Sequence, residues 1–470
     1  MKSQPLGTAK FPDSYNVVRT VTLNKTDLTG GNNKYYTIEG HESKDGKFFR
    51  LYSRYGRVGH TGTEEERIPP VQDITNLNIA FEHLKNEKIR KKGYVEVLVA
   101  QSKMGSSVGN TQIISTDIKQ DKVQTGKKGT TLKLHNSVVA LVDRLYGEAG
   151  QAVRNQLSGS LNTTIENPLG TLTQSQIKLG RNILQEVQTL LTQKPKLQDS
   201  IHSDLIMLSN KFYSAIPQTM ALRPISKMGQ AAMDTWLKKM ALNNSKILDE
   251  KEDLLDLLED VQGLVNGFTS TDVEKKYTEI GCEYEYLEPT DERRVKAEKY
   301  VLSTRSSAHD WKCQIKNVWK IKVKEQTEDY SKYMKEVGNI KSLFHGSGPQ
   351  NILGICKRGL LMRPPGVYVT GSMFGNGLYF ADQSSKSEQY AFGRYSGFGG
   401  KGDTYFMFLA DVALGKVMEY TTPQSNLSKA PNGYHSVMGK KGNYLYHNEF
   451  IIYEVKQHVL EYLIEFKTGR

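Results

Sequence analysis

The most informative stretch of the sequence is residues 375–390, GNGLYFADQSSKSEQY, in which glycines, aromatic rings and hydroxyl side chains lie close together. Two other segments have a similar mixture, and they are residues 343–348, LFHGSG, and residues 446–453, YHNEFIIY. Each has an ordinary structural explanation on its own, because glycine–aromatic clusters form tight turns and polar residues often flank strands. The combination of the three segments is what indicates a functional site.

Together these segments resemble the poly(ADP-ribose) polymerase family, whose His-Gly-Ser, Gly-x-Tyr-Phe-Ala-Asp, Ser-Lys-Ser-x-x-Tyr and Asn-Glu motifs occur in the same order. The resemblance implies an NAD+ ADP-ribosyltransferase that takes NAD+ as its substrate, releases nicotinamide and needs no metal. It assigns catalysis to His345, Tyr379 and Glu449. It assigns the binding of NAD+ to the following residues: His345, Gly346, Ser347, Tyr379, Ser387 and Tyr390.

The same resemblance implies a nicotinamide pocket with a polar end and two aromatic walls. Gly346 is expected to hydrogen-bond the carboxamide through its backbone, and Ser387 to add a hydroxyl hydrogen bond. Tyr390 is expected to stack on the nicotinamide ring, with Tyr379 as the opposite wall. Stacking of this kind contributes about 0.5–1.5 kcal/mol for each ring and holds the substrate in a productive orientation.

The chemistry of the reaction agrees with a carboxylate beside the ribose. Cleavage of a glycosidic bond to a pyridinium leaving group develops oxocarbenium character on the sugar, as in glycoside hydrolysis. Glu449, which the resemblance places at the 2′-hydroxyl of the nicotinamide ribose, would stabilise this charge more in the transition state than in the ground state. His345 and Ser347 are expected at the adenine-side ribose.

Two positions depart from the usual pattern of the family on the adenosine side. Leu361 stands where arginine is common, and Ser372 stands where a tyrosine often precedes the Met-Phe-Gly segment. The stretch between Lys416 and Glu449 is also short relative to the large polymer-forming members. The sequence therefore leaves open whether the product is a polymer or a single ADP-ribose unit.

Composition describes an ordinary water-soluble chain of two to four domains, since single cores seldom grow past about 250–300 residues. Of the 470 residues, 37% are hydrophobic and 24% are charged, and no apolar stretch is long enough for a membrane span. The first residues are polar and lack a signal-peptide core. The three cysteines, Cys282, Cys313 and Cys356, form no CxxC pair, which favours a reducing compartment and argues against a cysteine zinc site.

The N-terminal region, residues 1–105, is predicted to be a small α+β domain that binds DNA. Residues 1–130 hold 21 Lys and Arg against 14 Asp and Glu, out of a net charge of +12 for the chain. The segments NKYY, residues 33–36, and RYGRVG, residues 54–59, resemble a WGR domain in which tyrosine replaces the name-giving tryptophan. Cations interleaved with aromatics on a strand suit phosphates and a stacked sugar or base. The predicted DNA-binding residues are Arg50, Tyr52, Arg54, Tyr55 and Arg57.

The central region is predicted to be an all-α bundle, residues 131–266, that follows a polar linker, residues 106–130. Thr173 to Gln176 has the pattern of a capping box, and Ile177 begins an apolar helical stripe behind it. The segments NPLG, residues 167–170, and LSNKFY, residues 208–213, resemble the helical regulatory domain of the same family. The resemblance implies that this domain restrains access of NAD+ until damaged DNA binds.

The C-terminal region, residues 270–470, is predicted to be an α+β domain rich in antiparallel strands, so that the whole chain is an α+β multidomain protein. Residues 397–402 form a literal GxGxxG, but they precede the predicted strand at residues 405–409 instead of following one. A dinucleotide-binding turn must follow a strand and open a helix. The segment is therefore predicted to be a loop.

The leading hypothesis is an ADP-ribosyltransferase that DNA strand breaks stimulate and that modifies itself and other proteins. Two alternatives stay open: transfer of a single unit to proteins or DNA ends, and a DNA-end-binding scaffold with an inactive transferase domain. We expect a monomer with no membrane association. Its location would be nuclear in a eukaryote, and cytoplasmic or nucleoid-associated in a bacterium.

Overall fold

The computed structural model describes residues 11, 14–60, 62–71, 73–98, 133–157, 172–221, 224, 228–262, 264, 270–362, 373–392 and 404–469. The predicted linker, the NPLG segment, Ser372 and the GxGxxG segment all lie outside these residues. The chain divides into two compact units. The first contains Met1–Gly129 and Val153–Gln262, and the second contains Thr130–Ala152 and Gly263–Arg470.

An antiparallel sheet of five strands, in the order β4-β3-β2-β1-β5, forms the N-terminal region. Its strands are Tyr15–Asp27 (β1), Asn32–Ser43 (β2), Phe49–Arg57 (β3), Thr63–Val71 (β4) and Val95–Val97 (β5). Helix α1, Ile74–Asn86, buries Leu77 and Phe81 against this sheet. A π-helical turn follows at Glu87–Lys91, and Gly93 then takes a positive φ of 70°, where the chain leaves the helix.

Helices make up the central region. They are Asn136–Leu157 (α2), Gln174–Gln193 (α3), Ser203–Ala215 (α4), Gly229–Met240 (α5) and Ser245–Gln262 (α6). The predicted capping box is half confirmed. The Thr173 side chain caps α3 by accepting a hydrogen bond from the backbone nitrogen of Gln176. The Gln176 side chain, however, donates to Ala215 O at 2.8 Å instead of returning to the cap. The tertiary contact therefore replaces the local one.

Polar contacts join the N-terminal sheet to α4 and the residues just after it, within the first unit. Four of these hydrogen bonds are 2.9–3.0 Å long: Asn24 Nδ2 to Tyr213 O, Thr26 N to Ser214 Oγ, Leu28 N to Asn210 Oδ1, and Asn33 Nδ2 to Gln218 O. We call these four contacts the polar seam. Since hydrogen bonds require exact geometry, a shift of the sheet against α4 would break them.

The described residues of the C-terminal region form two sheets, in the orders β6-β7-β14-β10-β8 and β11-β12-β13-β9. Its strands are Cys282–Tyr286 (β6), Lys312–Val323 (β7), Ile340–Gly346 (β8), Leu378–Phe380 (β9), Tyr405–Ala413 (β10), Val417–Tyr420 (β11), Ser436–Gly439 (β12), Glu449–Ile452 (β13) and His458–Gly469 (β14). Its helices are Val273–Ile280 (α7), Glu292–Ser303 (α8), Glu328–Val337 (α9), Ile352–Arg358 (α10) and Ser384–Ala391 (α11). Among the described residues of this region, all pairs of strands are antiparallel except β11 with β12, which confirms the predicted fold class.

The first part of α2 belongs to the second unit. Arg144 on this helix forms ion pairs with Glu148 and Glu465, donates to Thr404 O at 2.7 Å and lies over the ring of Phe406. These contacts fix the helix to strands β10 and β14. Separately, none of the helices in the described part of the chain is both long and apolar enough to cross a membrane.

Candidate active site

Three short strand ends bring the three predicted segments together. Strand β9, which carries Tyr379, pairs with β13, which begins at Glu449. The two sheets are joined at this point, because Phe344 and Ala381 exchange two backbone hydrogen bonds of 2.8 and 2.9 Å. This bridge places β8, with His345 near its end, beside β9.

His345 is held in one tautomer by the backbone of β9. Its Nδ1 donates to Tyr379 O at 3.0 Å, so the lone pair lies on Nε2. Burial lowers the pKa of His345, and the hydrogen bond to Tyr379 O acts in the opposite direction. The imidazole is therefore neutral at physiological pH, and its Nε2 can accept a hydrogen bond from a hydroxyl group such as a ribose hydroxyl.

The hydroxyl of Tyr379 serves to anchor the ring. It donates to Gly375 O at 2.8 Å and accepts from Phe374 N at 3.0 Å. The ring also packs against the buried cluster that includes Phe374 and Ile451. A tyrosine whose hydroxyl is hydrogen-bonded and whose ring is packed in this way presents a rigid face, as a wall of a ring-binding pocket requires.

Gly346 and Ser387 lie in unusually close contact. A Cβ atom added to Gly346 would stand 1.8 Å from Ser387 O, so only glycine allows α11 to approach the end of β8 this closely. Ser387 is buried, whereas Tyr390, three residues later on the same helix, is 44% exposed. The predicted nicotinamide pocket therefore has a narrow polar end, at Gly346 and Ser387, beside the accessible ring of Tyr390.

Glu449 forms an ion pair with Lys386 of α11, with Nζ and Oε1 2.6 Å apart and both side chains largely buried. Burial lowers the pKa of Lys386, while Glu449 and Asp382 act in the opposite direction. Lys386 lies within the Ser-Lys-Ser motif, but no role for it was predicted from the sequence. The one signal available was its position between two serines of that motif, because a contact between α11 and β13 is not visible in the sequence.

The part of the site predicted to bind the adenosine half of NAD+ has fewer polar contacts among the described residues. Ser347 Oγ accepts a hydrogen bond from Asn351 Nδ2 at 3.1 Å, which fixes the hydroxyl beside the start of α10. Leu361 is 49% exposed and offers no hydrogen-bonding group in place of the usual arginine. The roles of Ser347 and His345 toward the adenine-side ribose stay predictions.

In the N-terminal sheet, Arg50, Tyr52 and Arg54 share one face of β3, as alternation along a strand requires. Arg50 is buried and donates to His41 Nδ1 at 3.0 Å, with its guanidinium over the ring of Phe11. Tyr52 donates its hydroxyl to Glu64 at 3.3 Å, and Arg54 lies 3.6 Å from the same carboxylate. Arg50 is thus engaged inside the domain, while Tyr52 and Arg54 are nearer the surface.

Tyr55 lies on the opposite face of β3 from these three residues. Its ring stacks on Tyr36 with centroids 5.2 Å apart, and the ammonium of Lys88 lies 4.4 Å from the centroid of the Tyr36 ring. Buried nitrogens with no hydrogen-bond partner among the described residues occur on three arginines of β3: Arg50 Nη2, Arg54 Nε and Arg57 Nε. Their role in binding DNA stays a prediction.

His458, behind the site, makes a testable contribution to stability. Its ring is fully buried, its Nδ1 donates to Val455 O at 2.8 Å, and its Nε2 faces Gln326 Nε2 at 3.1 Å. Burial lowers the pKa of His458 to about 4. Below pH 6.5, His458 becomes protonated in the unfolded chain, whereas in the folded chain it stays neutral until about pH 4. The stability conferred by the neutral imidazole is therefore full above pH 6.5 and is lost as the pH falls.

We expect the free energy of unfolding to decrease by about 1.4 kcal/mol for each pH unit within that window because of this residue. Urea unfolding of the full chain between pH 7 and pH 4 measures the effect. His458→Gln should flatten the pH dependence, while His60→Gln, at an exposed turn of the N-terminal sheet, should leave it unchanged. An identical slope in His458→Gln and in the wild type would contradict the assignment.

Comparisons with known proteins agree with this architecture. The WGR domain model matches residues 19–101, the model of the poly(ADP-ribose) polymerase regulatory domain matches residues 132–280, and that of the poly(ADP-ribose) polymerase catalytic domain matches residues 293–445. The two polymerase models together account for more than half of the chain. The chain therefore belongs to the poly(ADP-ribose) polymerase family, with the WGR, regulatory and catalytic domains that the sequence predicted.

Among its relatives, Poly [ADP-ribose] polymerase 1 of Oryza sativa subsp. japonica is 27% identical over 95% of this chain and 47% of its own length. Poly [ADP-ribose] polymerase 1 of Arabidopsis thaliana is 25% identical over 96% of this chain and 47% of its own. Poly [ADP-ribose] polymerase 2-A of Oryza sativa subsp. japonica is 27% identical over 94% of this chain and 69% of its own length. The chain spans about half the length of the first two relatives. The catalytic-domain match ends at residue 445, just before Glu449.

Proposed function

We propose that the chain is an NAD+ ADP-ribosyltransferase that releases nicotinamide, modifies itself and other proteins, and responds to DNA strand breaks. The observation that carries the proposal is the convergence of β8, β9 and β13. These strands bring His345 into contact with the backbone of Tyr379 and place Glu449 at the start of the strand that pairs with β9. Membership of the family supports the same reaction.

The proposed reaction begins with capture of the nicotinamide end of NAD+. The carboxamide hydrogen-bonds to the backbone of Gly346 and to the Ser387 hydroxyl, where the two segments nearly touch. Tyr379 and Tyr390 flank the ring. A neutral His345 accepts from a hydroxyl of the adenine-side ribose through Nε2, since its Nδ1 is already bound to Tyr379 O.

Cleavage then breaks the bond between ribose C1 and the pyridinium nitrogen. The bonding electrons move to the nitrogen, so nicotinamide leaves as a neutral molecule and positive charge grows on the ribose. Glu449 hydrogen-bonds the 2′-hydroxyl and stabilises this charge, and the site is partly shielded from water, which strengthens the interaction. Lys386 orients Glu449 through their 2.6 Å ion pair before the substrate arrives.

Binding of DNA is assigned to the WGR domain. Support comes from its basic composition and from the stacked tyrosines beside Lys88. Such groups bind phosphates and stack on sugars or bases without reading the sequence. The lesion would thus be recognised by its shape.

Regulation by DNA is proposed to act through the polar seam. A domain that has two arrangements of different activity responds to any ligand that binds one of them better. DNA on the WGR sheet would shift the sheet relative to α4 and so bias the helical region toward the state that admits NAD+. This part of the proposal rests on the hydrogen bonds that join the two regions within one compact unit.

Deletion of residues 153–262 is expected to raise the activity measured without DNA by about 5- to 150-fold, the range typical of coupling between two sites. Residues 130–152 are kept because they belong to the same compact unit as the C-terminal region. The measurement is release of nicotinamide with and without nicked DNA. A truncated chain that still depends on DNA would exclude gating by these helices.

A point variant tests the seam in the full chain. Asn24→Ala removes the hydrogen bonds to the α4 carbonyls of Tyr213 and Ser214, and it should reduce the stimulation by DNA without changing the affinity for DNA. Asn16→Ala is the matched control, because Asn16 lies on the same strand and its side chain accepts an exposed hydrogen bond from Lys44, away from the polar seam. Equal effects of the two variants would argue against the seam.

Labelled NAD+ tests the proposed function as a whole. Incorporation of label into the chain with blunt or nicked DNA, compared with no DNA, measures transfer and its dependence on strand breaks. On a denaturing gel, a ladder or smear indicates a polymer, as the names of the relatives suggest. A discrete band indicates a single unit, and label on the DNA indicates modification of DNA ends. Binding of DNA without release of nicotinamide would identify an inactive scaffold.

A further inference from the structure

His447 has an unused nitrogen beside the proposed catalytic carboxylate. It lies two residues before Glu449, its ring is half-buried, and its Nε2 is buried without a hydrogen-bond partner among the described residues. A buried polar atom of this kind costs free energy unless a ligand or a water satisfies it. Neither the proposed binding of NAD+ nor the proposed cleavage step uses His447.

The ring of His447 is supported by His309, whose ring meets it edge-on with centroids 5.2 Å apart. His309 is itself fixed at both nitrogens, with Nδ1 2.8 Å from Ser385 Oγ and Nε2 2.7 Å from Gln389 Nε2. Its ring also stacks on Trp311 with centroids 4.5 Å apart. Rigid support of this kind is what a group that must be aimed at a substrate requires.

The supporting helix belongs to the proposed active site. Ser385 and Gln389 lie on α11, which also carries Ser387 and Tyr390 of the nicotinamide pocket. Lys386, between the two serines, forms the ion pair with Glu449. The two histidines therefore stand at the same helix as the NAD+ site, next to the carboxylate that is proposed to act on the ribose.

The charges around His447 favour its neutral form. It is faced by Lys386 of α11, Lys441 of its own loop, Asp382 after β9, and the ring of His309. Burial lowers the pKa of His447, both lysines lower it further, and Asp382 opposes them. A neutral imidazole at physiological pH can accept a proton, whereas Glu449 is already paired with the ammonium group of Lys386.

We propose that His447 is the base that accepts the proton of a hydroxyl acceptor during ADP-ribosyl transfer. The inference rests on the proposed function and adds to it the class of acceptor. The acceptor oxygen forms a bond to ribose C1 as the bond from C1 to the nicotinamide nitrogen breaks, and the electron pair of that bond stays on the nicotinamide. The hydroxyl proton moves to His447 Nε2 and later to water. A carboxylate acceptor has no proton to lose and does not need this residue.

The test separates the two acceptor classes by the chemistry of their products. Self-modification of the full chain with labelled NAD+ is followed by neutral hydroxylamine, which cleaves esters of carboxylates and leaves links to hydroxyl oxygens intact. For His447→Ala and His447→Gln, we expect at least about a 10²-fold lower rate of forming the resistant product, as for loss of a general base. Formation of the labile product and the affinity for benzamide, a nicotinamide mimic, should not change.

Two further readouts distinguish a base from a structural residue. In the wild type, formation of the resistant product should fall at acid pH as His447 becomes protonated, and this fall should disappear in His447→Gln. Added imidazole should partly restore the rate of His447→Ala. His435→Gln is the matched control, since His435 is exposed in the same unit and binds the Lys416 backbone away from the site.

Three results would overturn the inference alone: resistant product at the wild-type rate in both His447 variants, an equal loss of both products, or a wild type that forms only labile product. A wild type that releases no nicotinamide under any condition would refute the proposed function and this inference with it.

Discussion

Replacement of Glu449 with glutamine is expected to lower the rate of nicotinamide release and ADP-ribosyl transfer by about 10²- to 10³-fold. The amide keeps the size of the side chain and can still hydrogen-bond a hydroxyl, but it carries no charge to stabilise a cationic ribose. Because that charge develops only as the glycosidic bond breaks, we expect the loss in kcat and little change in the KM for NAD+.

Steady-state release of nicotinamide at saturating DNA measures this effect. Glu454→Gln is a suitable control, because Glu454 is an exposed carboxylate just beyond the end of the same strand. The variant also leaves Lys386 without its charged partner, so Lys386→Met should be measured in parallel. Full activity in Glu449→Gln would mean that another carboxylate acts on the ribose.

Substitution of Gly346 with alanine is expected to weaken binding of a nicotinamide mimic by about 10²-fold, the cost of a displacement of roughly 1 Å in a positioned site. A Cβ atom at this position would stand 1.8 Å from the carbonyl oxygen of Ser387. The obstacle is backbone, so it cannot rotate away, and either β8 or α11 must move. Such overpacking also destabilises the fold, typically by about 1–3 kcal/mol.

Calorimetric titration with benzamide and thermal unfolding together measure these two consequences. Gly348→Ala is the matched control in the same segment, because the atoms nearest to its Cβ would be the far end of the flexible Gln350 side chain. Wild-type affinity in Gly346→Ala would show that nicotinamide does not bind between β8 and α11. Normal thermal stability combined with weak binding would locate the effect in the pocket itself.

Local patterns in the sequence predicted secondary structure correctly in both compact units. The apolar spacing behind Ile177 corresponds to the buried face of α3, and the strand from residue 405 forms as predicted. These successes share a cause, since the period of a helix or strand is written in consecutive residues. Gln176 is the exception, because its side chain bonds Ala215 O on another helix instead of the cap beside it.

The chain's own motifs were enough to predict the family, the fold class and the residues proposed for catalysis. What those residues do to one another required the tertiary structure: the tautomer of His345, the Lys386–Glu449 ion pair and the contact of His447 with His309. Each of these joins segments that are far apart in the chain and meet only where β8, β9, β13 and α11 come together. The physical reason is that hydrogen bonds and ion pairs form only when their atoms are positioned to within a few tenths of an ångström. A sequence pattern specifies only which face of an element a residue occupies.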